Sequence, residues 1–175
     1  MAYIYAICGD SGSGKTTLVG KVLAAAKTRR WTCRGIYCPA VFEAGSKTGI
    51  EVCLIPGMQK KALARLAQPG DENVVGKWCM NQENIAWANK YLLDMQSADL
   101  WIVDEIGPYE TEQGLGWADI LPLLPDLPAR KVLVTFRTSL LPWFLEHYPT
   151  ISVVHLGESN PEATLMNALF STNQE

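Results

Sequence analysis

The sequence predicts an α/β domain, a mostly parallel β-sheet layered between helices, and three observations carry that reading. A short apolar run, Ala2 to Cys8, ends in a glycine-rich turn that opens directly into a helical pattern. Runs with strand character then alternate with runs of helical spacing along the rest of the chain. A second apolar run, Leu100 to Val103, ends in two adjacent acids, and the carboxyl ends of parallel strands form the ligand-binding edge of such sheets. At 175 residues the chain is expected to form one domain, 1–175, whose core needs no disulfide or structural metal.

Taken in order, Ala2 to Cys8 is rich in β-formers and reads as a strand buried on both faces. From Lys15 to about Lys27, Leu18, Val19, Val22 and Leu23 fall at helical spacing. Arg34 to Val41 and Gly49 to Ile55 read as strands joined by the polar, glycine-bearing segment FEAGSKT, a hairpin inserted in the α/β order. Met58 to Leu66 carries helical patterning, as does Asn81 to Met95, which Asn81 opens as a cap. A helix over Gly114 to Leu124, a strand over Lys131 to Phe136 and a short helix from Ser139 to His147, broken at Pro142, are expected next. A strand over Ile151 to Leu156 and a helix over Pro161 to Phe170, with proline in its first turn, close the chain.

Composition narrows the function. Fifteen Lys and Arg stand against eighteen Asp and Glu, for a net charge of −3, which argues against a standing nucleic-acid binder. The one basic cluster, Lys27, Arg29 and Arg30, falls at a helix end, where cations suit the dipole. No apolar run reaches the length of a membrane span, and MAYIYAICGD carries neither a basic leader nor a small-residue cleavage site, so a cytoplasmic protein without membrane contact is expected. Five cysteines (Cys8, Cys33, Cys38, Cys53, Cys79) without a CxxC pair read as reduced, buried thiols rather than a zinc site.

Gly9-Asp10-Ser11-Gly12-Ser13-Gly14-Lys15-Thr16, followed by Thr17, fits G-x-x-x-x-G-K-[ST] at every fixed position. The glycines let backbone N–H groups curl around phosphate oxygens, and the helix behind them points its positive end at the same anion. Lys15 is placed to reach the β- and γ-phosphates, and the Thr16 hydroxyl to ligate Mg²⁺. The strand before the motif and the helix after it supply the context that a chance match lacks.

Leu100-Trp101-Ile102-Val103-Asp104-Glu105 supplies the second element. Asp104 is the expected Mg²⁺-side carboxylate, direct or through water, while Glu105, one residue on, can orient or deprotonate an attacking water. A second cation for the transition state is open between Lys47, in the hairpin connection, and Arg137, just past VLVTF, with one from a partner also possible. Trp87, Trp101 and Trp143 sit on apolar faces and read as core, whereas Trp78 and Trp117 lie near loops and could stack on a base. No N/T-K-x-D motif gives a basis for guanine selectivity, and His147 and His155 have no partner that sequence can place.

The phosphate loop GDSGSGKTTL, the block from Gly35-Ile36-Tyr37 through Gly45-Ser46-Lys47-Thr48-Gly49-Ile50-Glu51-Val52, and Val103-Asp104-Glu105-Ile106-Gly107-Pro108-Tyr109-Glu110 resemble a family of small P-loop nucleoside-triphosphatases over nearly the whole chain. The resemblance implies a three-layer αβα sandwich of the additional-strand, catalytic-glutamate type, related to RecA-like and AAA-type ATPases. It further implies Mg²⁺-dependent hydrolysis of ATP, GTP and other nucleoside triphosphates. Through it Glu105 becomes the catalytic carboxylate, Asp104 the Mg²⁺ partner, and Glu110 a nucleotide-site residue. The chain departs from the family pattern at Phe42, where an arginine is common, at Ser46-Lys47, where a basic pair is common, and at Asn160-Pro161, where Asn160 keeps a nucleotide contact and the following arginine is lost.

Two other readings stay open on sequence. A small-molecule kinase is one, although the six arginines (Arg29, Arg30, Arg34, Arg65, Arg130, Arg137) are scattered rather than gathered in a lid. A nucleotide-dependent accessory or switch protein of a cofactor- or metal-handling pathway is the other, with the segment Tyr109 to Trp117 able to change shape with the γ-phosphate. A protein partner is compatible with either, and a monomer is the default expectation.

Overall fold

The structure is a computed structural model, and it describes residues 1–171. The chain runs β1 (Tyr3–Cys8), α1 (Lys15–Thr28), β2 (Cys33–Tyr37), β3 (Ala40–Glu43), β4 (Ser46–Ile55), β5 (Lys60–Leu66), β6 (Val74–Val75), β7 (Trp78–Met80) and α2 (Gln82–Leu92). It continues through β8 (Ala98–Ile106), α3 (Pro108–Thr111), a 3₁₀ stretch (Ala118–Asp126), β9 (Ala129–Phe136), a second 3₁₀ turn (Thr138–Leu140), α4 (Leu141–His147), β10 (Ser152–His155) and α5 (Pro161–Phe170).

One sheet holds all the strands, in the order β10-β1-β9-β8-β2-β4-β5-β7-β6, with β3 paired to β4 off that path. From β10 to β2 every pairing is parallel, and from β2 outward every pairing is antiparallel. The parallel half has the apolar continuity of strands covered on both faces. Its side chains divide by the two-residue period of a strand. Ile4, Ala6 and Cys8 of β1, Trp101 and Val103 of β8, and Val132, Val134 and Phe136 of β9 join the core under α2, α4 and the long 3₁₀ stretch. Tyr5, Ile7, Leu100, Ile102 and Leu133 join the opposite core with Leu18, Val19 and Val22 of α1 and Leu165 and Leu169 of α5.

Several elements depart from the sequence expectation, each for a physical reason. Met58 to Leu66 is not a helix: Lys60–Leu66 is β5, paired antiparallel with β4. Lys, Ala and Leu are good helix formers, but intrinsic propensity differs by less than about 1 kcal/mol per residue, and burial of Leu63 and Ala64 against the sheet outweighs that preference. A register shift between Ile50 and Glu51 on β4 lets two consecutive residues, Leu63 and Ala64, both be buried. The inserted hairpin is therefore part of a larger antiparallel extension, β3 to β7, and Arg34 to Val41 is two strands, β2 and β3, rather than one. Gly114 to Leu124 forms no α-helix; Pro122 and Pro125, which lack amide hydrogens, keep Ala118–Asp126 as 3₁₀. Pro142 does not break a helix but opens α4 from its first turn.

The joint between the two halves of the sheet is β2, and Gly35 is what lets it close. Its φ is +116°, and a Cβ there would overlap the carbonyl oxygen of Ile102 on β8. Gly35→Ala is expected to cost about 3 kcal/mol or more, measured as a fall in the urea midpoint against wild type.

Candidate functional site

The site lies at the carboxyl edge of the parallel strands, where β1, β8 and β9 end side by side. The β1–α1 turn is shaped by its own polar groups: the Ser13 amide and hydroxyl both donate to the Asp10 carbonyl, at 3.2 and 2.6 Å. Gly12 and Gly14 hold φ of +75° and +101°, conformations that a side chain would strain. The fourteen-residue α1 starts with no side-chain cap and no acid in its first turn, so its leading N–H groups face the loop without a competing acceptor. Lys15 folds back over the loop, its Nζ donating to the carbonyls of Gly9 at 2.7 Å and Asp10 at 2.8 Å. Burial pulls the Lys15 pKa down, Glu105 raises it and Arg137 lowers it, so the three side chains share one electrostatic neighbourhood.

Asp104 is fully buried at the end of β8. Its Oδ1 accepts from the Thr135 hydroxyl at 2.6 Å and from the Glu105 amide at 3.1 Å; its Oδ2 accepts from the Cys38 amide at 2.9 Å. The Thr16 hydroxyl lies 3.5 Å from Oδ1. Burial and the neighbouring Glu105 push the Asp104 pKa up to about 6, against the pull of the Thr135, Cys38 and Thr16 hydrogen bonds. Among the described residues no lysine or arginine forms an ion pair with it. A buried carboxylate without a cation, facing a hydroxyl across 3.5 Å, is a donor pair of the hard-oxygen kind that suits Mg²⁺.

Glu105 leaves the strand geometry. Its φ is +64°, and the β8–β9 register slips between Val103 and Ile106. The Glu105 amide donates to Thr135 Oγ1 at 2.9 Å, which helps hold this left-handed residue. Glu105 lines two adjoining hollows. The smaller, about 320 Å³, is bounded by Gly12, Gly14, Lys15, Thr16 and Thr17 on one side and by Tyr37 to Ala40 and Phe42 on the other. The larger, about 510 Å³, lies beyond Glu105, between α3 and the antiparallel extension.

Lys47 lines both hollows, its ammonium 5.1 Å from the Trp78 ring centre, and Arg137 lines the larger one. Glu110 lines the larger hollow too, whereas Asn160 lines neither. The Lys21–Glu162 pair, at 2.5 Å, instead places the start of α5 beside α1, one turn past Thr17. Trp117 and Trp78 both line the larger hollow, but Trp117 is 1% exposed and packs into the core, whereas Trp78 is half-buried and presents more of its ring. Thr135 escaped the sequence reading, although a lone hydroxyl in the apolar run from Val132 to Phe136 was the available signal. The Cys38 amide contact carried no signal at all, because any residue has an amide.

A family model described as NTPase matches residues 4–167. The chain belongs to that NTPase family. Among its relatives is the nucleoside-triphosphatase THEP1 of Caldivirga maquilingensis, 27% identical over 164 residues that cover 93% of this chain and 91% of that protein. The THEP1 of Pyrobaculum islandicum is 35% identical over 133 residues, 75% of this chain and 72% of that one. The solution structure of a human cancer-related nucleoside triphosphatase superposes with a TM-score of 0.75 at 18% identity, covering 99% of this chain and all of that one. The crystal structure of THEP1 from Aquifex aeolicus gives 0.67 at 19% identity, covering 96% and 99%. These two likenesses show a shared α/β P-loop fold.

In this NTPase Glu110 is a structural tie as well as a lining residue. Its Oε2 accepts from the Gly107 amide at 2.7 Å and its Oε1 from the Trp117 amide at 3.3 Å, joining the start of α3 to the loop that returns from it. Only 6% exposed, it is pushed up to about 7, chiefly by burial, against the pull of those amides. A carboxyl raised on folding contributes stability that is complete below its unfolded pKa and is lost as pH climbs through the folded one. Wild type is therefore expected to lose roughly 2 kcal/mol relative to Glu110→Gln between pH 4.5 and 8, read from denaturant titrations of both proteins at the two ends of that range. A constant difference would show that folding does not raise the Glu110 pKa.

Proposed function

We propose that this chain hydrolyses nucleoside triphosphates, ATP and GTP among them, in a Mg²⁺-dependent reaction in which Glu105 activates water. The observation that carries the reading is the convergence of Lys15, Thr16, Asp104, Glu105 and Thr135 at one strand edge, beside an uncapped helix start. The position of β9 between β1 and β8 supports kinship with the additional-strand class.

Each residue has a task set by its place. Amides of the β1–α1 turn and of the first turn of α1 bind the phosphate chain. Lys15 exchanges its two carbonyl contacts for the β- and γ-phosphate oxygens, which a flexible ammonium does with little rearrangement. Thr16 and Asp104 would hold Mg²⁺, which when bound draws charge from the β- and γ-phosphates. Glu105 takes the proton of the attacking water as its oxygen closes on the γ-phosphorus, and the bond to the β-phosphate oxygen breaks. Its left-handed backbone, fixed through Thr135, aims the carboxylate off the strand toward the space both hollows share. Lys47 and Arg137 flank that space and offset charge on the equatorial oxygens. The lack of a base-reading motif agrees with broad nucleotide use.

Glu105→Gln should keep nucleotide affinity and lower phosphate release by roughly 10²-fold or more, measured with Mg²⁺ across a panel of nucleoside triphosphates. Lys15→Ala should impair binding and turnover together. Wild-type turnover in Glu105→Gln would sink the assignment of the base.

A further inference from the structure

Hydrolysis does not require the larger hollow. Lys15 reaches the β- and γ-phosphates and Glu105 stands at the γ end, so the triphosphate runs away from Glu105 toward Thr16 and Thr17. The nucleoside then falls on the α1 side of the loop, where the start of α5 is held by Lys21 and Glu162. The 510 Å³ hollow opens in the other direction, past the γ-phosphate. That orientation rests on the hydrolytic reading of Glu105. The volume fits a small organic molecule, and neither water nor phosphate needs a wall of this kind.

Its lining is amphipathic in a specific way. Ile50 of β4, Leu63 of β5, Met80 of β7, Ile85 of α2 and Tyr109 of α3 supply apolar surface from five elements. Trp78 adds an indole that two ammonium groups, Lys47 and Lys77, approach at 5.1 Å each. With Lys15 and Arg137, four cations line the hollow against two carboxylates, Glu105 and Glu110. Lys77 is exposed and has no role in the phosphate chemistry above. Lys15, Lys47, Gly12 and Glu105 line this hollow and the phosphate-side hollow alike, so an occupant would abut the γ-phosphate.

We propose that the hollow beyond Glu105 is a second binding site, for an organic anion with a flat apolar body, held between Trp78 and the apolar wall with its charge toward Lys47, Lys77 and Arg137. The antiparallel extension builds one side of it: β4, β5, β6 and β7 contribute Ile50, Leu63, Val75, Trp78 and Met80, and β4 and the β6–β7 turn contribute Lys47 and Lys77. The site makes the protein a two-ligand enzyme, whose triphosphate and organic anion meet at Glu105.

Calorimetric titration of the full-length protein tests this with 2-naphthoate, with 2-naphthamide as the same body without charge, and with acetate as the charge without the body. A carboxylate probe avoids competition for the phosphate loop. The expected result is one-to-one binding of naphthoate, at least about tenfold tighter than naphthamide, and none of acetate. Lys77→Glu should remove most of the preference for the anion and leave naphthamide unchanged. Val75→Trp, which fills the mouth from β6, should abolish binding of both. Neither position touches the phosphate loop, so nucleotide affinity, titrated in the same samples, should stay within about twofold of wild type and report that the variants are folded. Absence of naphthoate binding, or binding unchanged in both variants, would overturn the proposal. Naphthoate binding in a protein that releases no phosphate would leave this site standing and count against the hydrolytic function alone.

Discussion

A carboxylate with no exposed surface holds four parts of the chain in register. Asp104 accepts from Thr135 on β9, from the Cys38 amide where β2 hands over to β3, and from the amide of Glu105, and it faces Thr16 on α1. Burying an ionisable group in this way is unfavourable unless donors surround it, and here three donate while a fourth is in reach. The phosphate loop, the start of the extension and the two strands that flank the reacting groups are thereby fixed relative to one another. Their mutual placement follows from one residue's need for partners.

The interposed strand β9 makes that arrangement possible. Because β9 separates β1 from β8, its own last residues lie between the phosphate loop and the acids, and Thr135 and Arg137 enter the site from a strand with no sequence proximity to either motif. The same geometry explains the conformation of Glu105. A residue continuing regularly along β8 would stay within the pairing with β9; a left-handed turn of the backbone takes Glu105 out of it, at a cost that the Thr135 hydrogen bond helps to offset.

What was legible in the sequence was whatever local chemistry dictates. The phosphate loop with its helix, the Asn81 cap on α2 and the proline-led α5 all stand where spacing placed them, because each depends on residues within one or two turns. Lys60–Leu66 departs from its helical pattern because that pattern is local and its fate is not: a neighbouring strand and a bulge decide it. Within the site, Asp104 and Glu105 could be found from their strand, while Thr135 and the Cys38 amide are joined to them only by the order of strands in the sheet. The burial of Trp117 has a related cause, since its amide donates to the Glu110 carboxylate, which ties its loop to the core.

The strands that end the main path of this wide sheet are both short. At one end β10 has four residues, and at the other β6 has two, followed at once by Gly76 and Lys77. An edge strand that short presents too few free amides and carbonyls to template another strand, and a cation beside it discourages stacking of copies. The antiparallel extension can therefore widen the sheet toward the larger hollow without turning its last strand into a seed for edge-to-edge aggregation.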